Sequence, residues 1–343
     1  MSLSGFQERI REAAAQRTPL RLRGGGSKDF YGNEPRGEVL DTRAYAGIAA
    51  YEPSELVITA RCGTPLGELE QELSRHRQCL PFEPPHFGAA TLGGCIAAGL
   101  SGPRRAYAGA LRDYVLGIKL VDGRGRLLSF GGQVMKNVAG YDVARLAAGS
   151  LGTLGLIAEV SIKVLPVTPS ELTLRLEMTE AAALEHMNRW AGQPWPISAT
   201  AWYRGELLVR LSGSEPGVRA AAAKIGGIGV DAGFWQSIRE QTHRFFTGPE
   251  PLWRMAVPSV CPPLNLLGDT LIEWGGGLRW CRSNEAPDAA RKARGHATLF
   301  RSQGRRERVF EALEPVVVEV HRRLKAAFDP EGILNPGRLY AEL

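Results

Sequence analysis

No run of about 20 apolar residues occurs anywhere in this chain of 343 residues, so none of it reads as a membrane-spanning helix. The first helical pattern carries Glu8, Arg9, Arg11 and Glu12 and lacks the apolar stretch of a signal peptide. Cysteine is scarce and scattered: Cys62, Cys79, Cys95, Cys261 and Cys281 are odd in number and form no CxxC pair. That argues against a disulfide framework, a zinc site and the ligand set of an iron–sulfur cluster, and it fits a reducing compartment. These absences predict a cytoplasmic protein with no metal centre of its own. There is no GxGxxG, no internal repeat and no low-complexity tract. Basic and aromatic residues do not alternate along any strand-like run, so nucleic acid is not an expected partner.

The composition that remains is that of an ordinary folded protein, 44% hydrophobic and 23% charged, with 41 glycines and 22 prolines that imply many turns and close backbone approaches. The net charge of +6 and pI of about 9.2 suit an anionic cofactor, an acidic substrate, an acidic partner or a membrane surface. A chain this long carries two cores, and the texture changes at the prolines 166 and 169. The expected division is a domain over 1–168 and a smaller α+β sheet domain over 169–343.

In the first part, apolar spacing predicts a helix over 6–16 with Ser4 and Gln7 as a capping box, and a second helix that starts at Thr64-Pro65 and runs to Arg75. Strands are expected at 20–22, 48–51, 56–62 and 156–165, and a hairpin turns at Asp122-Gly123-Arg124-Gly125. In the second part, strands are expected at 172–176, 198–203, 206–211, 252–257, 270–281 and 297–301. Helices are expected at 180–190 and 216–224, with a long one over 306–328 whose apolar face holds Val309, Leu313, Val316, Val317, Val320, Leu324 and Phe328.

The glycines cluster. Arg23, Gly24, Gly25, Gly26 and Ser27 follow the first strand, where backbone N–H groups can converge on an anion that side chains would block. Gly93 and Gly94, after Thr91 and Leu92, begin a small, nearly neutral stretch to Gly99 against which a planar ligand can lie. In the run 149–155, glycine recurs every third residue ahead of the last strand of this part. Each loop read alone is equally well a tight turn.

Taken in order, RGGGS, LPFEPP, ATLGG, GALRDYVLG, KNVAGYD and GSLGTLG, followed by LNPGR at 334–338, resemble the FAD-binding proteins of the vanillyl-alcohol oxidase / p-cresol methylhydroxylase superfamily. Within that superfamily the likeness is strongest to the smaller FAD-binding subunits of bacterial glycolate oxidases (glycolate dehydrogenases). The resemblance implies the two-subdomain FAD-binding fold of the p-cresol methylhydroxylase type, followed by a cap that docks partners and whose tail returns to the flavin. It implies that the pyrophosphate rests on Arg23, Gly24, Gly25, Gly26 and Ser27. Pro84, Pro85, Thr91, Leu92, Gly93 and Gly94 would line the flavin, and Gly152, Gly155, Ile157, Asn335 and Arg338 would complete the site. Several members hold FAD covalently on a histidine after the glycine loop; Ser27 stands there, so the flavin is expected to be noncovalent, with Cys79 and Cys95 the alternative points of attachment.

The GEHG-type motif that carries a substrate histidine in catalytic relatives is absent, and no catalytic residue is identified. His86 stands beside the proline pair, whereas His243 and His296 read as satisfied or surface side chains. Arg104 and Arg105 are as well placed for solvent as for phosphate or substrate. The triple glycine 275–277 is expected either as a strand bulge or as a close approach to the flavin ring. The resemblance therefore implies an FAD-dependent oxidoreductase subunit acting on a small 2-hydroxy acid, glycolate. Its partners would be a larger FAD-containing catalytic subunit and an iron–sulfur subunit, through which alone it meets the inner membrane. A free-standing hydroxy-acid or alditol oxidoreductase and a non-catalytic structural subunit are the alternatives.

Overall fold

The computed structural model describes every residue except 133–141, 286–287 and 305–307. The motif KNVAGYD thus lies, but for Asp142, outside the described residues. Asp142 caps the short helix Val143–Ala147 by accepting from the Arg145 backbone N–H.

Two antiparallel sheets organise the chain. The first has five strands in the order Ile48–Glu52, Val57–Arg61, Leu156–Lys163, Val115–Val121, Leu127–Gly131. The central strand Leu156–Lys163 is buried on nearly all of its length, which is why its sequence is almost continuously apolar. Helix Leu66–Arg75 lays Leu66, Leu69 and Leu73 on this sheet, and helix Leu92–Ala98 adds Leu92, Cys95 and Ile96 to the same core. Strands Leu20–Arg23 and Glu38–Asp41 pair in parallel beside it, and the chain's tail joins them through a parallel bridge between Leu20 and Leu334.

The second sheet has eight strands, in the order Ile228–Val230, Ser170–Glu177, Glu206–Gly213, Ile197–Tyr203, Asp269–Glu273, Leu278–Arg282, Leu252–Ala256, His296–Arg301. Helices Glu180–Ala191 and Glu215–Ile225 cover one face through Leu184, Met187, Trp190, Val218 and Ile225. The other face, bearing Tyr203, Leu271, Leu278, Trp280 and Phe300, packs on Tyr31, Leu100 and Leu151 of the first half. Polar ties cross the same seam. Arg210, 4% exposed, reaches Glu83 at 2.9 Å, and Glu240 accepts the backbone N–H groups of His86 and Phe87 at 3.1 and 2.9 Å. The architecture is α+β, as its sequence pattern predicts.

Several local expectations are corrected. The first helix begins at Leu3 with Ser2 as its cap, ahead of the expected capping box, because Ser2 accepts from the Gly5 N–H. Thr64 does not cap the second helix; its hydroxyl instead binds Gly47, accepting from its N–H and donating to its carbonyl. The run 270–281 is two strands joined by a turn over Trp274–Gly276, in which Trp274, Gly275 and Gly276 all have positive φ. The last helix spans Pro315–Phe328, since Pro315 fixes its first turn and Val309 is held beside the strand His296–Arg301 by accepting from the Leu299 N–H. Its apolar face is not core: Val316 is 77% and Val320 59% exposed, and the one buried residue is Lys325.

Candidate functional site

The glycine loop leaves strand Leu20–Arg23 and runs against the segment that carries Ala89, Ala90 and Thr91. The approach is so close that a Cβ on Gly25 would stand 1.5 Å from the Ala89 carbonyl oxygen, so any side chain there would force the two segments apart. Between them and the loop 149–157 lies a cavity of about 110 Å³. Of the residues expected at the cofactor, Arg23, Gly24, Gly25, Gly26, Ser27, Thr91, Gly93, Gly94, Gly152, Gly155, Ile157, Asn335 and Arg338 all line it. Pro84, Pro85 and Leu92 do not: Leu92 is 1% exposed inside the core of the first sheet, Pro84 is buried, and Pro85 lines a different cavity. The reason is geometric, since a residue next to a lining residue on a helix or turn points elsewhere.

The tail completes this cavity. Asn335 accepts from the Leu22 N–H at 2.7 Å and donates to the Leu151 carbonyl at 2.6 Å, so one side chain ties the first strand to the third glycine loop. Arg338 donates to the backbone carbonyls of Asn33 and, at 3.0 Å, Asp29, fixing the far end of the first glycine loop. Lys325 anchors both, donating to Asp329 at 2.8 Å, to the Leu334 carbonyl at 2.7 Å and to the Thr153 carbonyl at 2.8 Å, all out of solvent.

The lining is basic and partly unsatisfied, which suits a large anion with polar groups. Arg21 and Arg23 share Asp29 at 2.5 and 2.8 Å. Lys28, which follows Ser27 and ends the stretch 23–28 that the sequence offers as an anion cradle, also lines the cavity; burial lowers its ammonium pKa, and its Nζ donates to the His86 carbonyl at 3.2 Å. Thr91 Oγ1 is buried with no hydrogen-bond partner and would be 2.1 Å from a Cβ at Gly24. A cradle that only glycine permits, a hydroxyl awaiting a partner and the cationic side chains of Arg21, Arg23 and Lys28 therefore fit a dinucleotide's phosphates. Cys62 lines the cavity too, but burial pushes its thiol up to about 12, as it does that of Cys95. Neither is a thiolate near neutral pH.

A second, smaller cavity of about 30 Å³ sits where the other end of the segment 85–103 meets the second sheet. Its floor is Glu273, 4% exposed, whose carboxylate accepts from Trp280 Nε1 at 2.7 Å and whose pKa burial raises to about 7. Arg254 and Gln241 line it as well. Trp274, in the hairpin turn, donates its Nε1–H to the Gly102 carbonyl at 3.1 Å, and its ring carries the guanidinium of Arg105 at 4.5 Å and that of Arg254 at 5.2 Å. The triple glycine is not a strand bulge: Gly275 and Gly276, both at positive φ, build the turn that presents Trp274.

The other candidates are engaged elsewhere. Arg104 pairs with Glu83 and Glu171, His86 Nε2 lies 3.1 Å from Glu70, and His243 packs edge-on against Tyr203 while accepting from the Phe245 N–H. Glu273 and Arg254 were not found in the sequence because neither stands in a motif and their strands, one on each side of Leu278–Arg282, come close only in the folded sheet. Among the described residues no helix is long and apolar enough to cross a membrane.

Comparison with known proteins agrees with this geometry. Residues 2–131 match the family described as FAD binding domain, and residues 303–339 match the C-terminal domain of FAD linked oxidases. The glycolate oxidase subunit GlcE of Escherichia coli (strain K12) is 47% identical over 98% of this chain and 97% of its own length. The D-lactate dehydrogenase of Archaeoglobus fulgidus is 26% identical over 95% of the chain and 86% of its own, and the glycolate oxidase subunit GlcD of Bacillus subtilis is 32% identical over 46% and 34%. A solved alkyldihydroxyacetonephosphate synthase shares the fold with a TM-score of 0.68 at 16% identity, over 96% of this chain and 74% of the other. The cofactor is FAD, and the chain belongs to the family of FAD-dependent oxidoreductases that includes the glycolate oxidase subunit GlcE.

Proposed function

We propose that this chain is an FAD-bearing subunit of a glycolate oxidase. It supports oxidation of glycolate to glyoxylate beside a larger FAD-containing subunit that carries the principal substrate site, and an iron–sulfur subunit takes the electrons onward. The observation that carries this reading is the 47% identity to GlcE over 98% of this chain and 97% of that protein's length. The scattered cysteines support the need for a separate iron–sulfur chain.

FAD supplies a two-electron acceptor that can pass electrons on one at a time. The protein's part is to hold it. In this reading residues 1–168 form the FAD-binding domain, and residues 169–343 form the cap and partner-docking domain with the returning tail. Arg23 to Ser27, Thr91, Gly93, Gly94, Gly152, Gly155, Ile157, Asn335 and Arg338 surround the cofactor, with Lys28 added. Attachment is noncovalent: Ser27 supplies no imidazole, and the thiols of Cys62 and Cys95 are held protonated by burial.

The partners are tested by purifying a tagged chain expressed together with its neighbouring reading frames. A larger flavoprotein and a cysteine-rich iron–sulfur protein are expected to co-purify and to reduce a quinone analogue with glycolate. A chain that stays alone and turns glycolate over at full rate would favour the free-standing oxidoreductase instead.

A further inference from the structure

Helix Pro315–Phe328 leans on the first half through Lys325 and Phe328 and leaves an apolar stripe uncovered on its other side. Val317, Val320, Leu324 and Ala327 follow the three–four–three spacing of a helix–helix seam, and Val316 stands beside them. Val316 is 77%, Val320 59% and Val317 40% exposed. Valine is a poor helix former, so three exposed valines on one short helix do not serve the helix itself. Contiguous apolar surface of this kind marks a contact with another molecule.

The charges around the stripe say which. Glu314 and Glu319 lie toward the start of the helix, and Arg322 and Arg323 toward its end, where Arg124 donates to the Ala327 carbonyl. Neither Arg124 nor Arg322 has a carboxylate partner among the described residues, and Glu319 pairs with Arg323 one turn on at 2.8 Å, in solvent. An anionic membrane surface or a uniformly acidic partner calls for one sign of charge along the stripe, which the two glutamates oppose. A face that is acidic at one end and basic at the other is instead complementary to itself when turned end for end. Antiparallel helices also bring opposite dipole ends together.

We propose that two copies of this chain pair through this face, with their Pro315–Phe328 helices antiparallel across a two-fold axis near Val320. Glu319 of each copy then stands opposite Arg323 of the other, and the valines close on the partner's stripe. Pairing braces the helix whose inner side, through Lys325, holds the tail at the glycine-lined cavity. A seam of 14 residues is about 21 Å long, at the small end of protein interfaces, so a Kd of about 10 μM is expected.

Sedimentation velocity of the full FAD-loaded chain from about 1 to about 200 μM tests this, with monomer expected at the lowest and dimer at the highest concentration. Val320→Glu places two carboxylates at the axis and should weaken pairing about thirtyfold or more. Glu319→Arg and Arg323→Glu each set like charges opposite one another and should weaken it about fivefold at low salt. Mixed in equal amounts, these two charge variants should pair with each other as tightly as the wild type, since each supplies the sign the other lacks. Arg219→Gln, on the exposed side of helix Glu215–Ile225, should change nothing. Both charge variants sit at exposed positions and carry the test if Val320→Glu does not fold. A chain still monomeric at about 200 μM, a dimer that Val320→Glu leaves intact, or charge variants that fail to recover on mixing overturns the proposal. So does a monomeric chain in which Val320→Glu instead abolishes co-purification of a larger flavoprotein or binding to vesicles of anionic lipid.

Discussion

Asp329 holds the tail where it meets the glycine-lined cavity. It is 1% exposed, pairs with the buried Lys325 at 2.8 Å and accepts the backbone N–H groups of Ile333 and Leu334, so it both neutralises the lysine and turns the chain toward Asn335. Burial lowers the Lys325 ammonium, and Asp329 opposes that. Asp329→Ala leaves a buried cation without its counter-charge, and a loss of about 3–5 kcal/mol is expected in urea unfolding; a loss below about 1 kcal/mol would show the pair to be incidental. Glu273 acts in the opposite sense. An unfolded chain releases this proton near 4.5, whereas the folded chain keeps it up to about 7. Between those values unfolding releases a proton, so stability falls as pH rises and levels off above about 7. The total is about 3 kcal/mol. Glu273→Gln removes this loss and is expected to exceed the wild type in stability at pH 8 but not at pH 4; parallel profiles would contradict it.

Among the elements, those whose residue types are demanded by the backbone were legible in the sequence. The hairpin at Asp122-Gly123-Arg124-Gly125 is one, since Asp122 accepts from the Arg124 and Arg126 N–H groups and no side chain fits beside Asp329 at Gly123. The glycine loops are another. Two elements read by apolar pattern alone differed. The run 270–281 keeps its strand-like pattern through a turn, because Trp274 occupies a left-handed conformation that bulky residues seldom adopt. The last helix starts at Pro315, although its apolar spacing begins earlier, and its valines face solvent. The glycine-lined cavity was legible because its loops carry glycine; the small cavity at the seam was not, because Gln241, Arg254 and Glu273 come from three separate segments. At this scale the tail is testable: Asn335→Ala removes the bonds to Leu22 and Leu151, each worth about 1–3 kcal/mol when a buried partner is left unpaired. A lower melting temperature and FAD affinity reduced about tenfold or more are expected. Unchanged FAD affinity would place the tail outside the site.

Across the whole molecule, the first sheet and its loops build the glycine-lined cavity proposed for the cofactor, and the second sheet packs on the same half through Arg210–Glu83 and Glu240 on the His86–Phe87 backbone. Residues of the segment 85–103 line both the glycine-lined cavity and the small cavity at the seam, so the two share one piece of chain. No base is recognisable in the sequence of the second half; the folded sheet buries a carboxyl, Glu273, at a place no motif marks. All of this presumes that the chain itself carries the flavin, without a covalent bond. The direct measurement is to denature the purified chain in acid and assay the supernatant and the precipitate for flavin. The account predicts about one FAD per chain, all of it in the supernatant. Flavin retained in the precipitate would contradict noncovalent attachment, and colourless protein with no flavin in either fraction would contradict FAD binding by this chain.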